Sequence, residues 1–255
     1  MPTERGRLAQ GSTIDYDRVA RVYDDLRAGD PEMVQRLVKE ALLSQDSIVL
    51  DVGCGTTNNT ALLAGATGAR TIGLDLSLGM LKEAYRKLTS LPLVHGAAGN
   101  LPFTGSTFDF AYMTEVIHHL EDFGTALAEM FRVLRNSGRF CIVTQSHRQI
   151  EERMTSRFFP GTVEVDQARY PPVQSIEAEL QEVGFVEVWS VEHKFTPVRL
   201  GPEYLSTVEG RGYSMLYKIG EDEYQRGLRL LRDAYSRGAP LDYSAGYTFI
   251  WSRKG

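Results

Sequence analysis

Asp51, Gly53, Gly55 and Asp75 carry the clearest chemical signal in this sequence. They fall in VLDVGCGTTNNT (Val49 to Thr60) and TIGLDLS (Thr71 to Ser77). The first stretch reads as a strand, a tight loop and a helix start. Gly53 and Gly55 admit positive φ and let a ligand approach the backbone where a Cβ would block it. The helix that follows offers free N–H groups and a partial positive charge to an anionic group. Asp75 lies 75 − 55 = 20 residues after Gly55, the spacing of a carboxylate at the tip of a second parallel strand that accepts both hydroxyls of a ribose. The competing readings are an ordinary glycine turn and a solvent-facing Asp that caps a helix.

A second group of candidates follows the fourth predicted strand. His118 in EVIHHLED can act as a general base near neutral pH, with Glu115 and His119 as alternatives. Capping or packing the following turn is the competing role for these side chains. Between His147 and Pro172 the hydrophobic periodicity is lost. Arg148, Arg153, Arg157 and Arg169 are interleaved there with Phe158, Phe159 and Tyr170, either as an arm that meets an acceptor carboxylate or as a surface excursion. Cys54 falls in the loop and Cys141 in a buried strand, a distribution that suggests neither a disulfide framework nor a metal site.

Strands and helices alternate around these residues. Asp30-Pro31 starts a helix with Val34, Leu37, Val38, Ala41 and Leu42 on its apolar stripe. Strands are expected at Val49–Val52, Thr71–Asp75, Leu91–Val94, Phe108–Met113, Phe140–Thr144, Phe185–Val191 and Tyr247–Ser252, with Asn136-Ser137-Gly138 as a turn. Ser77 and Ser175 are expected helix caps; the Ser77 helix has Met80, Leu81, Ala84, Tyr85 and Leu88 as its apolar positions. The fold expected is α/β, a Rossmann-like seven-stranded, mostly parallel sheet with helices on both faces, plus a helical cap inserted before the last strand. Residues 1–255 form a single domain in this reading. It divides into N-terminal lid helices (1–46), a core (47–145), an arm (146–174) and the C-terminal half of the sheet (175–255) with the cap insertion at 195–241. Tyr224, Leu228, Leu231 and Tyr235 share one face of a helix from Glu221 to Ser236, which either covers the site or forms a homodimer contact.

With 28 basic and 33 acidic residues the net charge is −5, which opposes tracking of a nucleic-acid backbone. No apolar run approaches the ~20 residues that cross a bilayer, and MPTERGR is not followed by a signal-peptide core. A cytoplasmic protein without membrane or nucleic-acid partners is the expectation.

Asp51, Gly53, Gly55 and Asp75, with GAAGNLPF (Gly96 to Phe103), STFDFAY (Ser106 to Tyr112), EVIHHLED (Glu115 to Asp122) and FRVLRNSGRF (Phe131 to Phe140), resemble in order the motifs of the class I S-adenosylmethionine-dependent methyltransferases. DYDRVARVYD, Asp15 to Asp24, is similar to the helix preceding this core in small-molecule members. The resemblance implies S-adenosylmethionine as cofactor, S-adenosylhomocysteine as product and no metal. It implies a cofactor site of Tyr16, Arg21, Tyr23, Asp51, Gly53, Cys54, Gly55, Asp75, Leu76, Met80, Ala97, Ala98, Gly99 and Thr114. Two departures stand out. Thr56 and Thr57 follow Gly55 where a third glycine is common, and Ala97 and Ala98 stand where an acid usually meets the adenine amino group, leaving that bond to backbone groups or Asn100.

The implied reaction is in-line methyl transfer to a small-molecule acceptor, driven by alignment and exclusion of water. A non-catalytic cofactor-binding module and a macromolecular methyltransferase are the alternatives. An NAD-dependent oxidoreductase shares the ribose acid but needs close packing at a third glycine, where Thr57 stands. Acceptor choice is expected to lie in the additions to the core, whose aromatics, among them Tyr16, Tyr23, Phe158, Phe159, Tyr170, Tyr204 and Tyr213, are expected to line a pocket.

Overall fold

The computed structural model describes residues 29–87, 90–244 and 246–255. Seven strands form one sheet: β1 (Ile48–Val52), β2 (Arg70–Asp75), β3 (Leu93–His95), β4 (Phe108–Thr114), β5 (Leu134–Thr144), β6 (Phe185–Lys194) and β9 (Gly246–Lys254). Their order is β3-β2-β1-β4-β5-β9-β6; β1 to β5 run parallel, and β9 runs antiparallel to both β5 and β6. Two short strands, β7 (Val198–Arg199) and β8 (Asp242–Tyr243), pair as a separate ribbon. The strand order reverses direction between β1 and β4. In such sheets the crevice beyond the carboxyl ends of the two strands at that switch point is where ligands bind.

Alternation along the strands sorts the core into two layers. Leu50 and Val52 of β1, with Ala111 and Met113 of β4, face helices Phe123–Val133 and Val173–Val183. Val49, with Phe110 and Tyr112, faces the opposite layer, built on helices Pro31–Ala41 and Asn58–Thr67. Asp51 shares the parity of Val49 and so is placed beneath the Asn58–Thr67 helix. The Pro31–Ala41 helix starts as expected, with the Asp30 carboxylate accepting from Met33 N at 2.9 Å, a cap worth about 1 kcal/mol. Leu42 is its exposed, left-handed C-cap rather than part of the stripe.

Several local expectations are corrected. The Val173–Val183 helix is capped by Pro172 without a side-chain bond, and Ser175 lies inside it. Asn136, Ser137 and Gly138 lie within β5, where the pairing to β4 slips and Ser137 takes φ +65°; the turn is a bulge in one long strand. Tyr85 is exposed on the helix Leu78–Lys87, because the two sheet-facing rows are filled by Met80, Leu81 and Ala84. Ser77 does cap this helix, its Oγ accepting from Met80 N at 3.1 Å, while Leu88 lies outside the described residues.

The arm is helical: His147–Glu151, Met154–Phe158 and Gly161–Gln167 follow one another between β5 and the Val173–Val183 helix. Its segments are too short for periodicity to register. The insertion between β6 and β9 contributes helices Pro202–Glu209 and Glu221–Ser236. The two additions share a third apolar cluster, in which Met154, Phe158 and Phe159 pack on Tyr204, Val208, Tyr224, Leu228 and Leu231. The apolar face of the Glu221–Ser236 helix is thus covered from within the chain. Phe158, Phe159 and Tyr204 are spent on this packing instead of lining an open pocket.

Candidate functional site

The glycine loop is tied to β2 rather than hanging free. Gly53 N and Cys54 N both donate to Leu74 O, at 2.7 and 3.0 Å, and Gly55 N donates to Asp75 Oδ2 at 2.8 Å. Asp75 Oδ1 accepts from Ser77 N at 2.8 Å, so this carboxylate fixes both the loop and the start of the next helix. A carboxylate at this strand end is the acceptor chemistry that the two hydroxyls of a sugar require.

The two glycines have different reasons to be glycine. Gly53 (φ +75°) has Val116 packed where its Cβ would stand, so the loop touches the exit of β4 directly. Gly55 (φ +53°) has nothing within 4 Å of its Cβ position among the described residues. The open approach expected at both is therefore found at Gly55; at Gly53 the protein's own side chain occupies it. Thr57 stands where the third glycine was expected and adopts a glycine-like φ of +68° while fully buried, with its Oγ1 donating to Thr56 O at 2.6 Å. The turn keeps the glycine conformation without the glycine, strained on the order of 1 kcal/mol. The Asn58–Thr67 helix then begins, its N-terminus beside the loop.

Asp51 is 3% exposed. Its Oδ2 accepts from Thr60 Oγ1 at 2.6 Å and Tyr112 Oη at 2.7 Å, linking β1, β4 and the helix behind the loop. Burial pushes its pKa up to about 6, the two hydrogen bonds oppose the rise, and the Asp75 charge adds to it. Burial also holds the Tyr112 phenol and the Cys54 thiol in their protonated forms. Cys141 is a buried core residue.

The remaining expected cofactor residues ring the same edge. Leu76 is 70% exposed directly after Asp75, whereas Met80 is buried beneath it. Ala97 bridges to Asn100, Ala98 packs into the core, and Gly99 approaches Thr125. Thr114 ends β4, half-buried, and its Oγ1 has no hydrogen-bond partner among the described residues. Tyr16, Arg21 and Tyr23 lie outside the described residues.

Beyond Thr114, the chain turns through Glu115 at φ +55°, its N–H held by Val143 O at 2.8 Å. Tyr170 of the arm donates its hydroxyl to Glu115 Oε2 at 2.8 Å, and its ring stacks on His118 at 3.9 Å between centroids. His118 also contacts His119 at 4.1 Å. Three of the four arm arginines meet the protein's own carboxylates, Arg153 and Arg169 both bonding to buried Asp166 and Arg148 to Glu192, while Arg157 lies over the Phe158 ring. Arg153 Nε also donates to Gln145 Oε1 at 2.6 Å, and its guanidinium lies over the Tyr170 ring at 5.2 Å. The Glu115–Tyr170 contact spans 55 residues of sequence and has no local pattern that would reveal it.

Residues 50–142 match the family model described as a methyltransferase domain. A demethylmenaquinone methyltransferase of Streptomyces avermitilis is 35% identical over 137 residues, covering 52% of this chain and 59% of that protein. The chain spans about half the length of the curated relatives it matches. The crystal structure of a proposed methyltransferase from an antibiotic biosynthesis pathway of Anabaena variabilis superposes with a TM-score of 0.76 at 23% identity, over 89% of this chain and 98% of that one. Phosphoethanolamine N-methyltransferase 2 of Haemonchus contortus, in complex with S-adenosyl-L-methionine, gives a TM-score of 0.60 at 18% identity, over 93% and 57% of the two chains. At these identities the solved structures speak to the fold alone. With the matched motifs at the carboxyl ends of β1, β2 and β4, residues 50–142 of this chain carry a methyltransferase domain.

Proposed function

We propose that the protein transfers the methyl group of S-adenosylmethionine to a small-molecule acceptor. The observation that carries this reading is the pairing of Gly55, open to approach at its Cβ position, with Asp75, whose carboxylate is anchored to Gly55 N–H. These residues fit the cofactor: a glycine whose side-chain space is open among the described residues, a carboxylate acceptor and a helix N-terminus converge at one strand edge. When bound, S-adenosylmethionine supplies a methyl group already activated by its sulfonium.

The chain's own work is positional. Asp75 holds the ribose, Gly53, Cys54 and Gly55 shape the loop beneath it, and Leu76 offers an apolar surface to the base. Ala97, Ala98 and Gly99 leave the adenine edge to backbone groups. Thr114 and the turn after it face the acceptor, where alignment and exclusion of water are worth roughly 7 to 11 kcal/mol. In this division, residues 47–145 bind the cofactor, and residues 146–174 and 195–241 select the acceptor. The family-model match spans residues 50–142, and the demethylmenaquinone enzyme is matched over 59% of its length, so its acceptor is not carried over.

Calorimetry with S-adenosylmethionine, S-adenosylhomocysteine and NAD tests the first step: the first two bind and the dinucleotide does not. Tight NAD binding without sulfonium binding overturns the reading. Binding without methyl transfer to any acceptor supports the module alternative.

A further inference from the structure

We propose that Arg36 and His193 form an acid-released latch at the root of the insertion, closed while the imidazole is neutral and open once it takes a proton. Such a latch lies outside methyl transfer and is indifferent to the acceptor. Donor chemistry fixes its closed state. Arg36 Nη1 lies 3.1 Å from His193 Nδ1, and a guanidinium has only donors, so Nδ1 is the acceptor and the ring proton sits on Nε2. The imidazolium carries N–H at both positions and cannot accept. Protonation therefore removes the bond and leaves two cations in contact, so Arg36 has to withdraw.

What Arg36 holds is the exit of the chain from the sheet. β6 ends at Lys194, and the insertion begins at the next residue, Phe195, whose side chain is buried. One turn of helix Pro31–Ala41 grips this point. Arg36 lies over the Phe195 ring at 5.8 Å, and Glu32, paired with Arg36 at 3.4 Å, accepts from Thr196 N at 3.1 Å. On the returning strand, Ser244 donates to the Phe195 carbonyl. The body of the helix is fixed separately, with Met33, Val34 and Leu37 in the core and Asp30 N donating to Asn59 Oδ1 at 2.8 Å. When Arg36 leaves His193 the helix stays in place, and what is released is the grip of Glu32 and Arg36 on Phe195 and Thr196.

The groups facing the imidazole set the pH at which it opens. From the helix these are Arg36, Lys39 and Glu40, with Glu32 reached through Arg36. From β9 they are Tyr247, the register partner of His193, and the Phe249 ring, met edge-on at 5.3 Å. Glu192 and Lys194 of its own strand project to the opposite face, where they pair with Arg148 and Glu152. Burial and then the Arg36 charge hold His193 below the ordinary histidine value of 6.5, with Glu40 opposing. Because the folded value is the lower one, the stability contributed by the latch is fully present above pH ~6.5 and is lost as pH falls through the folded midpoint.

Nitrogen-15 spectra of the histidine rings in the wild type, His193→Asn and Arg36→Met test the pairing. Asparagine places a carbonyl where Nδ1 stood and does not titrate, and methionine keeps most of the arginine stem without its charge. The His193 resonances are those missing from His193→Asn. In the wild type they should show the Nε2–H tautomer and a midpoint below 6.5, and Arg36→Met should move that midpoint upward. An Nδ1–H tautomer, or a midpoint that Arg36→Met leaves in place, overturns the proposal. Opening is read at the Thr196 amide by hydrogen exchange corrected for the intrinsic rate at each pH. Its protection should fall roughly tenfold or more in the wild type as His193 titrates, hold in His193→Asn, and be low at every pH in Arg36→Met. Protection that follows the same course in the wild type and His193→Asn overturns the latch, as does a loss whose midpoint differs from that of His193.

Discussion

Replacing Asp51 with asparagine probes the group that joins the two central strands to the helix behind the cofactor loop. The folded protein holds Asp51 at about 6, against 3.8 for an ordinary aspartate. Because the folded value is the higher one, the folded state binds more protons between the two. This contribution is fully present below pH ~4 and is lost as pH rises through about 6. At about 1.4 kcal/mol for each power of ten, the loss is about 3 kcal/mol. Asparagine does not titrate, but its amide brings donors to a site furnished by the hydroxyls of Thr60 and Tyr112, at a cost of about 1 to 3 kcal/mol at every pH. The variant should therefore be the less stable protein near pH 4 and equal or exceed the wild type near pH 8. Urea unfolding followed by circular dichroism across this range measures the difference. Carboxylates with lowered values, such as Glu129, lose stability as pH falls and cancel, being common to both proteins. A stability difference that stays constant with pH would refute the argument. In the proposed site, a cationic cofactor would favour ionised Asp51, so binding near pH 6 should release a proton from the wild type and not from the variant, seen as a buffer-dependent binding enthalpy.

Gly55→Ala should fold with a loss on the order of 1 kcal/mol from left-handed strain but bind S-adenosylmethionine at least tenfold more weakly. Gly53→Ala adds a collision with Val116 and should lose a further ~1 to 3 kcal/mol of stability; equal melting temperatures for the two variants would refute the distinction. Asp75→Asn sets an amide against Gly55 N–H or Ser77 N–H and should weaken cofactor binding by about 2 to 4 kcal/mol in calorimetry, an unchanged affinity placing the ribose elsewhere. Arg153→Met removes a partner of buried Asp166 and should destabilise on the order of 3 kcal/mol in thermal unfolding; a loss under about 1 kcal/mol would show that Arg169 alone balances that charge.

The core was legible because its signals are local. Runs such as Val49–Val52 and Phe108–Met113 read as strands buried on both faces, and β1 and β4 are such strands. The glycines and Asp75 stand at strand ends, where the αβ alternation puts them. What escaped was any role decided by a distant partner. Nothing near Gly53 announces Val116, and nothing near Asp51 announces that Tyr112, 61 residues away, donates to it. Thr57 shows the same limit in reverse: the residue type argued against a glycine-like turn, yet tertiary packing imposes that conformation on a buried threonine.

The additions to the core were harder to read, and the reason is physical. The arm's helices span five, five and seven residues, too short to display an amphipathic stripe, so their stability comes from what they pack against. That partner is the insertion, which follows after the intervening helix and β6 and brings Tyr204, Tyr224 and Leu228 onto Phe158 and Phe159. Neither half of this cluster can bury its aromatics alone. Tyr170 sits at the end of the arm, so packing between arm and insertion sets the position of a tyrosine that bonds to Glu115. A substitution in the Glu221–Ser236 helix that loosens Phe159 would reach the β4 turn through this path without touching any cofactor residue. In the proposed function, cofactor binding falls to local motifs at strand ends and acceptor selectivity to a cluster that exists only when the fold is complete.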